Sequence, residues 1–495
     1  MEYKTFLHPN GPGGTICLSS MSGLLPLSVS TPLGPDALFL TGFSGREGLS
    51  QLFSFQLDVV AEIGTPVPFD ALLGQPVGVR VQPFAGAPPR HFSGICSRVS
   101  QGGRDARFTA YQLEVVPSFW LLTRRAGSRA FSNLSIPEIL ERTLFDANVS
   151  IELRTPLQPQ EYCVQYRETD FDFASRLMEE EGIYYFFRHE DGGHTLVLGN
   201  TPEGHPGLPP VQFDPRARFG TVHDWTKAQK ITTGKVTLWD HNFQLPSSNL
   251  EGQAVIQESV LAGAVQHRLR LAVSDGLEIF DYPGEYAQRF DGIDPGGGEQ
   301  PGELQKLFEA ARQQAELRMQ AEAASALLIA GASTVPGLTA GHRFTLERHF
   351  DANGDYVLTG VQHKAEASPD GHRFTYGNTF TCIPAGLPFR PPRVTPLPVA
   401  PGPQPAVVVG PPGEEIFTDK YGRVKVKFHW DREENASVWI RVATPYAGRN
   451  GGFYSIPEVG DEVLVAFEQG DVRRPYVLGQ LWNAADPPPE REDGQ

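Results

Sequence analysis

Two histidines that flank a glycine-rich turn are the first candidates for metal chemistry. His189 and His194 lie five positions apart, and histidine is a common zinc ligand. The metalloprotease pattern H-E-x-x-H is absent, because Glu190 is followed by three residues before His194. Histidines beside a hairpin turn are usually solvated, so the sequence predicts no metal site at this turn.

The acidic stretch at residues 351–355 is a candidate for calcium binding. A calcium loop of the EF-hand type needs glycine at its sixth position and glutamate at its twelfth. Counted from Asp351, Gly354 is fourth and Gln362 is twelfth. The Asn353-Gly354 pair is instead typical of a hairpin turn.

Three consecutive carboxylates, residues 179–181, are the candidates for glycoside chemistry, which uses a pair of such groups. Acidic residues at the end of a helix are more often a solvated face, although they oppose the helix dipole. Neither a G-x-S-x-G nucleophile elbow nor a phosphate-binding P-loop motif occurs. The sequence therefore predicts no catalytic residues and no cofactor.

The composition restricts the classes of partner. The 42 basic and 58 acidic side chains leave a formal net charge of −16, which argues against nucleic-acid binding and against anionic membrane surfaces. No apolar run is long enough to span a membrane, and residues 1–4 lack a signal-peptide pattern. The four cysteines are far apart in the chain and predict reduced, buried thiols: Cys17, Cys96, Cys163 and Cys382.

Alternating apolar and polar residues predict a chain built mostly of short strands. Residues 53–59 and 111–115 alternate in this way, and the 52 glycines and 43 prolines suit many turns. A capping box at Ser135 and Glu138 predicts one short helix. Thr169 opens a second helix, which Gly182 ends, and residues 303–324 have the spacing of a longer third helix.

A proline-rich stretch at residues 384–405 predicts a stiff linker between two domains. After it, about five short alternating strands fit a small closed barrel of the OB type. Trp439 and Arg441 share the polar side of one of these strands. They either cover one end of the barrel or pack on the front domain or on a neighbouring subunit.

The ordered motifs of the barrel resemble those of the VgrG family, the spike proteins of type VI secretion. Residues 414–426 read EEIFTDKYGRVKV, and residues 456–463 and 470–475 read IPEVGDEV and GDVRRP. The part of the chain before the barrel also resembles this family, because residues 281–286 read DYPGEY. The positions that carry the resemblance are Asp281, Tyr282, Pro283, Gly284, Tyr421, Gly422, Arg423, Trp430, Gly460, Asp461 and Pro475.

This resemblance implies a mainly β fold with a few helices. A phage tail hub-like domain of two related β-barrels plus helices would occupy residues 1–383. The proline-rich linker, residues 384–405, leads to an OB-fold-like barrel at residues 406–483. A polar, proline-rich tail follows at residues 484–495, where the family's β-helix needle would begin.

The resemblance also implies a structural role. The family's spikes are homotrimers that join an Hcp-like inner tube to a membrane-piercing spike and help to deliver effectors. Baseplate proteins would be further partners, as would effectors and a PAAR-type tip protein where a needle is present. Such a chain is assembled in the bacterial cytoplasm and ejected without a signal peptide.

Two alternatives remain open from the sequence. One is a phage-like tail hub with peptidoglycan-hydrolysing activity, which requires a working pair of carboxylates. The other is a soluble adaptor that binds an effector, which requires a stable monomer with a free binding surface.

Overall fold

The computed structural model describes residues 25–489, apart from residues 84–86, 146, 218, 369–372 and 433–436. The start of the chain, Cys17 and the last residues of the tail lie outside this range. The three cysteines that are described, Cys96, Cys163 and Cys382, are buried free thiols.

The first part of the chain that the structure describes forms an antiparallel sheet whose strands alternate as the sequence predicts. Phe53, Phe55, Leu57 and Val59 are buried in its core. The order in space is β1-β4-β5-β6-β3-β2. The strands are β1 (Leu27–Ser30), β2 (Phe39–Gly48), β3 (Gln51–Glu62), β4 (Pro76–Val81), β5 (Arg90–Arg104) and β6 (Phe108–Val116).

Two short helices and a hairpin pack next to this sheet, as predicted. The Glu138 carboxylate accepts a hydrogen bond from the Ser135 amide at 2.7 Å, and the Thr169 hydroxyl accepts one from the Asp172 amide at 3.0 Å. Gly182 has a φ of +65° just after the second helix. The elements are β7 (Ala126–Leu134), α1 (Ile136–Thr143), β8 (Val149–Ile151), β9 (Gln160–Thr169), α2 (Asp170–Glu180), β10 (Tyr184–Glu190) and β11 (Gly193–Gly199).

The middle of the chain forms two small sheets, two strands of the large sheet (β12 and β13) and the longest described helix. That helix begins at Lys306 instead of at residue 303, because Pro301–Gln305 forms a tighter 3₁₀ turn. It packs on β14 and β15. The elements are β12 (Val211–Gln212), β13 (Val222–Gln229), β14 (Lys235–Leu238), β15 (Gly252–Val255), β16 (Ser259–Ala262), β17 (Val265–Arg268), β18 (Glu278–Asp281) and α3 (Lys306–Ala324).

Six further strands extend the first sheet to twelve strands, because β2 pairs with β21 and the sheet continues through β12, β13 and the four strands that follow α3. The predicted hairpin between β20 and β21 is present, but its connection is longer than a two-residue Asn353-Gly354 turn, because Gly354 already pairs with Leu346. The four strands that follow α3 are β19 (Leu327–Ser333), β20 (Arg343–Glu347), β21 (Gly354–Ala367) and β22 (Phe374–Pro384).

The last part of the chain is a closed five-stranded barrel, as predicted, in the order β23-β24-β25-β29-β28. A two-stranded hairpin, β26 with β27, projects between β25 and β28. The strands are β23 (Gln404–Val409), β24 (Val424–Phe428), β25 (Trp439–Val442), β26 (Ala447–Gly448), β27 (Gly451–Gly452), β28 (Glu462–Phe467) and β29 (Pro475–Leu481).

The proline-rich segment, residues 384–405, connects the barrel to the part of the chain before it, residues 25–383, which is called the front part. This segment is packed against the front part. Leu387 is buried in a core cluster there. The Arg390 guanidinium donates to the carbonyl oxygens of Gly182 and Asn200, at 3.0 and 2.6 Å. These contacts hold the segment along the front part as it leads into the barrel.

Candidate functional site at the junction of the front part and the barrel

The barrel shares a hydrophobic core with strand β9 of the front part. Tyr162, Val164 and Tyr166 of that strand are buried together with the barrel's valines. The Trp430 ring meets the Tyr166 ring edge-on at 5.8 Å, and its indole N–H donates to Gln404 at 2.9 Å. Gln404 in turn donates to the Tyr166 hydroxyl at 2.7 Å. Strand β9 of the front part therefore contributes side chains to the core of the barrel.

Arg423 joins the barrel to the front part through a buried triad of charges. Its Nε lies 2.7 Å from Asp419 of the barrel, and its Nη2 lies 2.9 Å from Asp291 of the front part. All three residues are less than a tenth exposed. Gly422, with a φ of +69°, makes the turn that directs this arginine inward. The neighbouring Tyr421 packs edge-on against Phe243 of the front part, at 5.2 Å between ring centroids.

Two arginines before strand β29 make the second set of charge contacts. Arg474 Nη2 lies 3.0 Å from both oxygens of Asp240, which also accepts from the Tyr286 and Ala287 amides. Arg473 lies 3.2 Å from Glu180 and 3.7 Å from Glu285, both in the front part. Burial raises the pKa of the Glu180 carboxyl, but the Arg473 and Arg176 guanidiniums outweigh burial, so its pKa is below the usual value.

The DYPGEY motif has one buried end and one exposed end. A side chain at Gly284 would meet the Tyr286 ring at 2.3 Å, so only glycine fits there. The Tyr286 hydroxyl is buried and donates to backbone carbonyls, among them Leu238 at 3.1 Å. Asp281 pairs with Arg318 of α3. Tyr282, in a cis peptide bond with Pro283, is about half exposed, at 48%.

The remaining positions singled out by the sequence shape the barrel. Gly460 has a φ of +105°, and the Asp461 carboxylate accepts from the Glu458 amide at 2.8 Å. Pro475 begins strand β29. Of the two residues on the polar side of β25, Trp439 is buried and donates to the Asp294 carbonyl of the front part at 2.9 Å. Arg441 pairs with Glu468 and lies over the Phe243 ring.

The prediction that the carboxylates of residues 179–181 form a solvated face is wrong. Glu180 and Glu181 are buried, and they pair with Arg473 and Arg289 at 3.2 and 2.6 Å. Glu179 accepts from the backbone amides of residues 394 and 395. The end of α2 faces the junction, where arginines compensate the unfavourable helix dipole.

The prediction that His189 and His194 are solvated is also wrong. Both pack against Phe53, with ring centroids 4.8 and 5.5 Å away. Burial lowers the pKa of His189 to about 3 and that of His194 to about 4, so both stay neutral. Asp351 of the calcium candidate pairs with Lys227 at 2.9 Å. Among the described residues, no three His, Cys, Asp or Glu side chains form a metal-binding group.

The front-part partners of the barrel arginines were not found from the sequence. Asp240, Asp291 and Glu180 lie 234, 132 and 293 positions from the arginines they contact. The one feature of the sequence that could have pointed to these contacts is the position of Arg473 and Arg474 inside the GDVRRP motif. Of the residues named from the sequence, those brought to the junction are Arg423, Tyr421, Trp430, Trp439 and Arg441.

Glu161 is a carboxyl at the junction whose surroundings raise its pKa. It lines a cavity of about 90 Å³ between the two parts, together with Asp291 and Arg423. Burial, and then the Asp291 charge, raises the pKa of Glu161 to about 7. A carboxyl whose pKa is raised on folding costs stability once the pH exceeds its unfolded pKa, and the cost is complete above its folded pKa.

Replacing Glu161 by glutamine is therefore expected to stabilise the protein at pH 8 by roughly 1–3 kcal/mol. At pH 4, where Glu161 is mostly protonated in both states, the variant should be nearly as stable as the wild type. Urea unfolding of both proteins at the two pH values measures this difference. Equal stability of the two proteins at pH 8 would show that the carboxylate is not destabilising.

The comparisons with known proteins cover both parts. Residues 46–369 match the family described as phage tail baseplate hub (GPD), and residues 415–482 match the type VI secretion system/phage-baseplate injector OB domain. No described helix is long and apolar enough to cross a membrane.

Curated relatives from Pseudomonas aeruginosa align over most of the chain. The type VI secretion system spike protein VgrG1b is 38% identical over 478 residues, which cover 92% of this chain and 60% of the relative. VgrG1a is 40% identical over 480 residues, which cover 92% of this chain and 69% of that relative. The chain thus spans about 60% of the length of VgrG1b.

Solved structures share the fold at low sequence identity. One is the E. coli c3393 protein, described as a type VI secretion component similar to the T4 phage tail proteins gp27 and gp5. It gives a TM-score of 0.60 at 19% identity, covering 92% of this chain and all of that one. A half-lidded Francisella PdpA–VgrG complex gives a TM-score of 0.59 at 9% identity, and the match covers 94% of this chain and 79% of that one. With the hub match, the barrel match and the curated relatives in agreement, the chain belongs to the VgrG family of type VI secretion system spike proteins.

Proposed function

We propose that this chain is the structural hub of a trimeric spike in a contractile injection machine. Its front part would join the inner tube, and its barrel would lead toward the piercing tip. The observation that carries this proposal is the junction, where buried charge pairs and a shared core attach the barrel to the front part. A part that transmits an axial push needs such a connection.

A structural role is favoured over peptidoglycan hydrolysis. The carboxylates considered for that chemistry, residues 179–181, are engaged by arginines and backbone amides of the junction. A general acid needs a carboxyl that can reach a substrate oxygen, whereas Glu180 and Glu181 are buried. The same contacts give these residues a mechanical function in the proposed hub.

The partners follow from this role. An Hcp-like tube and baseplate proteins would contact the front part. A PAAR-type tip and effectors would be carried where a needle follows the barrel. The subunit would assemble in the bacterial cytoplasm and leave the cell with the ejected spike.

The purified chain is expected to be a trimer, with a mass near three times the 54.3 kDa of the monomer. Obligate interfaces are large and largely apolar, so the trimer should persist on dilution. Light scattering across a concentration series measures the mass. A monomer at every concentration would contradict trimerisation by this chain and would favour the adaptor alternative.

A further inference from the structure

One sheet of the front part presents apolar side chains to solvent. In the sheet β15-β14-β18, one side packs on α3 through Val236. Successive residues of a strand point to opposite sides, so the register places Val255 and Phe280 on the other side. The same alternation, continued one residue past each strand, places Trp239 and Tyr282 there, with their ring centroids 5.9 Å apart. These side chains form the aromatic sheet face: Trp239, Val255, Phe280 and Tyr282, which are 49%, 55%, 58% and 48% exposed.

Strand β18 is also an edge of this sheet. Because β18 is the last strand in the order β15-β14-β18, one of its two edges has no strand partner among the described residues. Ile279 and Phe280, which point to opposite sides, are both exposed. An apolar edge strand is a template for pairing and is normally covered, and an exposed apolar patch of this kind marks a protein interface.

The barrel carries a projecting arm of matching character at residues 443–455. The hairpin β26–β27 lies within it, and the Phe453 amide donates to the Tyr446 carbonyl at 2.8 Å. Tyr446, Phe453 and Tyr454 are 61%, 58% and 75% exposed. Tyrosine, phenylalanine and arginine are enriched at interfaces, and the arm also carries Arg449.

The charges of the arm and of the aromatic sheet face are complementary. The arm contains Arg449 and no Asp or Glu, in a chain whose net charge is −16. By the alternation of their strands, Glu251 and Glu278 lie on the same side of the sheet as the aromatic sheet face, and both are exposed. Glu278 pairs with Lys235 of this side at 2.8 Å, so the carboxylate available to a partner is that of Glu251. An arm with a cation therefore meets a surface that carries the Glu251 carboxylate at its border.

We propose that the arm of one copy docks on the aromatic sheet face of the next copy. The proposal rests on the trimer of the proposed function and names its interface. The two surfaces differ, so the contact is head-to-tail, and three such contacts close a ring about a threefold axis. Each copy then uses one arm and one sheet face, and neither remains exposed.

The first test replaces one aromatic residue on each surface by aspartate. Phe280→Asp and Phe453→Asp are each expected to weaken association at least tenfold, so that monomers appear where the wild type is a trimer by light scattering. Phe350→Asp is the matched control, because Phe350 is 89% exposed and belongs to neither surface. Circular dichroism checks that all three variants fold.

The outcomes separate this proposal from the proposed function. A monomeric wild type would contradict both. A trimeric wild type with trimeric Phe280→Asp and Phe453→Asp variants would contradict only the docking. Dissociation of Phe350→Asp as well would also contradict it, because added charge anywhere would then have the same effect.

A second test uses cross-linking and does not depend on dissociation. The double variant Phe280→Cys/Phe453→Cys is expected to form chains of two and three subunits under mild oxidation. Each single cysteine variant should stay at monomer mass on a denaturing gel. A double variant that forms no more cross-linked product than the single variants would overturn the docking.

Discussion

Replacing Arg423 by methionine is expected to lower the free energy of unfolding by about 3–5 kcal/mol. Methionine keeps much of the apolar volume of the arginine side chain but removes its charge. Asp419 and Asp291, each less than a tenth exposed, would then be buried carboxylates without their cation. Urea unfolding followed by tryptophan fluorescence measures the loss, with all proteins at one concentration because association contributes to stability.

Lys420→Met is the matched control for this substitution. Lys420 belongs to the same motif and also reaches the front part, at 2.7 Å from Glu299. These side chains are 41% and 60% exposed, and exposed ion pairs contribute little. No measurable change is expected in this variant. If Arg423→Met were as stable as Lys420→Met, the buried triad would not hold the junction together.

The Arg474–Asp240 pair is expected to show strong coupling in a double-mutant cycle. Arg474→Met alone should cost about 3–5 kcal/mol, because Asp240 is left as an uncompensated buried charge. Asp240 is 1% exposed and lies 3.0 Å from the arginine. In Asp240→Asn/Arg474→Met neither member of the pair is charged, and the asparagine oxygen can still accept from the Tyr286 or Ala287 amide.

The double variant should therefore be more stable than Arg474→Met alone. Unfolding titrations of the wild type, both single variants and the double variant give the coupling energy directly. Additive effects of the two substitutions would mean that the charges do not interact across the junction. A double variant less stable than either single variant would contradict the explanation based on an unpaired charge.

These two groups of buried ion pairs explain how the junction can fix one orientation of the barrel as well as hold it strongly. Apolar contacts on β9 hold the barrel to the front part but allow many orientations. Arg423 and Arg474 each require a particular carboxylate at hydrogen-bond distance, since a displaced barrel would leave buried charges unpaired. For a spike that is pushed along its axis, a single orientation of the barrel keeps the subunits in line.

Local pattern was enough to predict most of the elements. The strands around Phe53 and Val424 alternate, the helix at Ser135 has its cap, and the barrel appears as a run of short strands. These features depend on side chains close together in the chain, so the sequence reports them directly. The ordered motifs of the barrel also sufficed to identify the family before any contact was known.

Only the tertiary structure decided which charged residues face one another. The sequence places Glu180 at a helix end and His189 beside a turn, and both were predicted to be solvated. Glu180 is instead buried against Arg473, 293 positions away, and His189 lies inside the core. Whether an ionisable side chain meets water or a partner depends on which elements pack together. The sequence alone thus determined the elements and the family, while the packing of distant elements determined the junction.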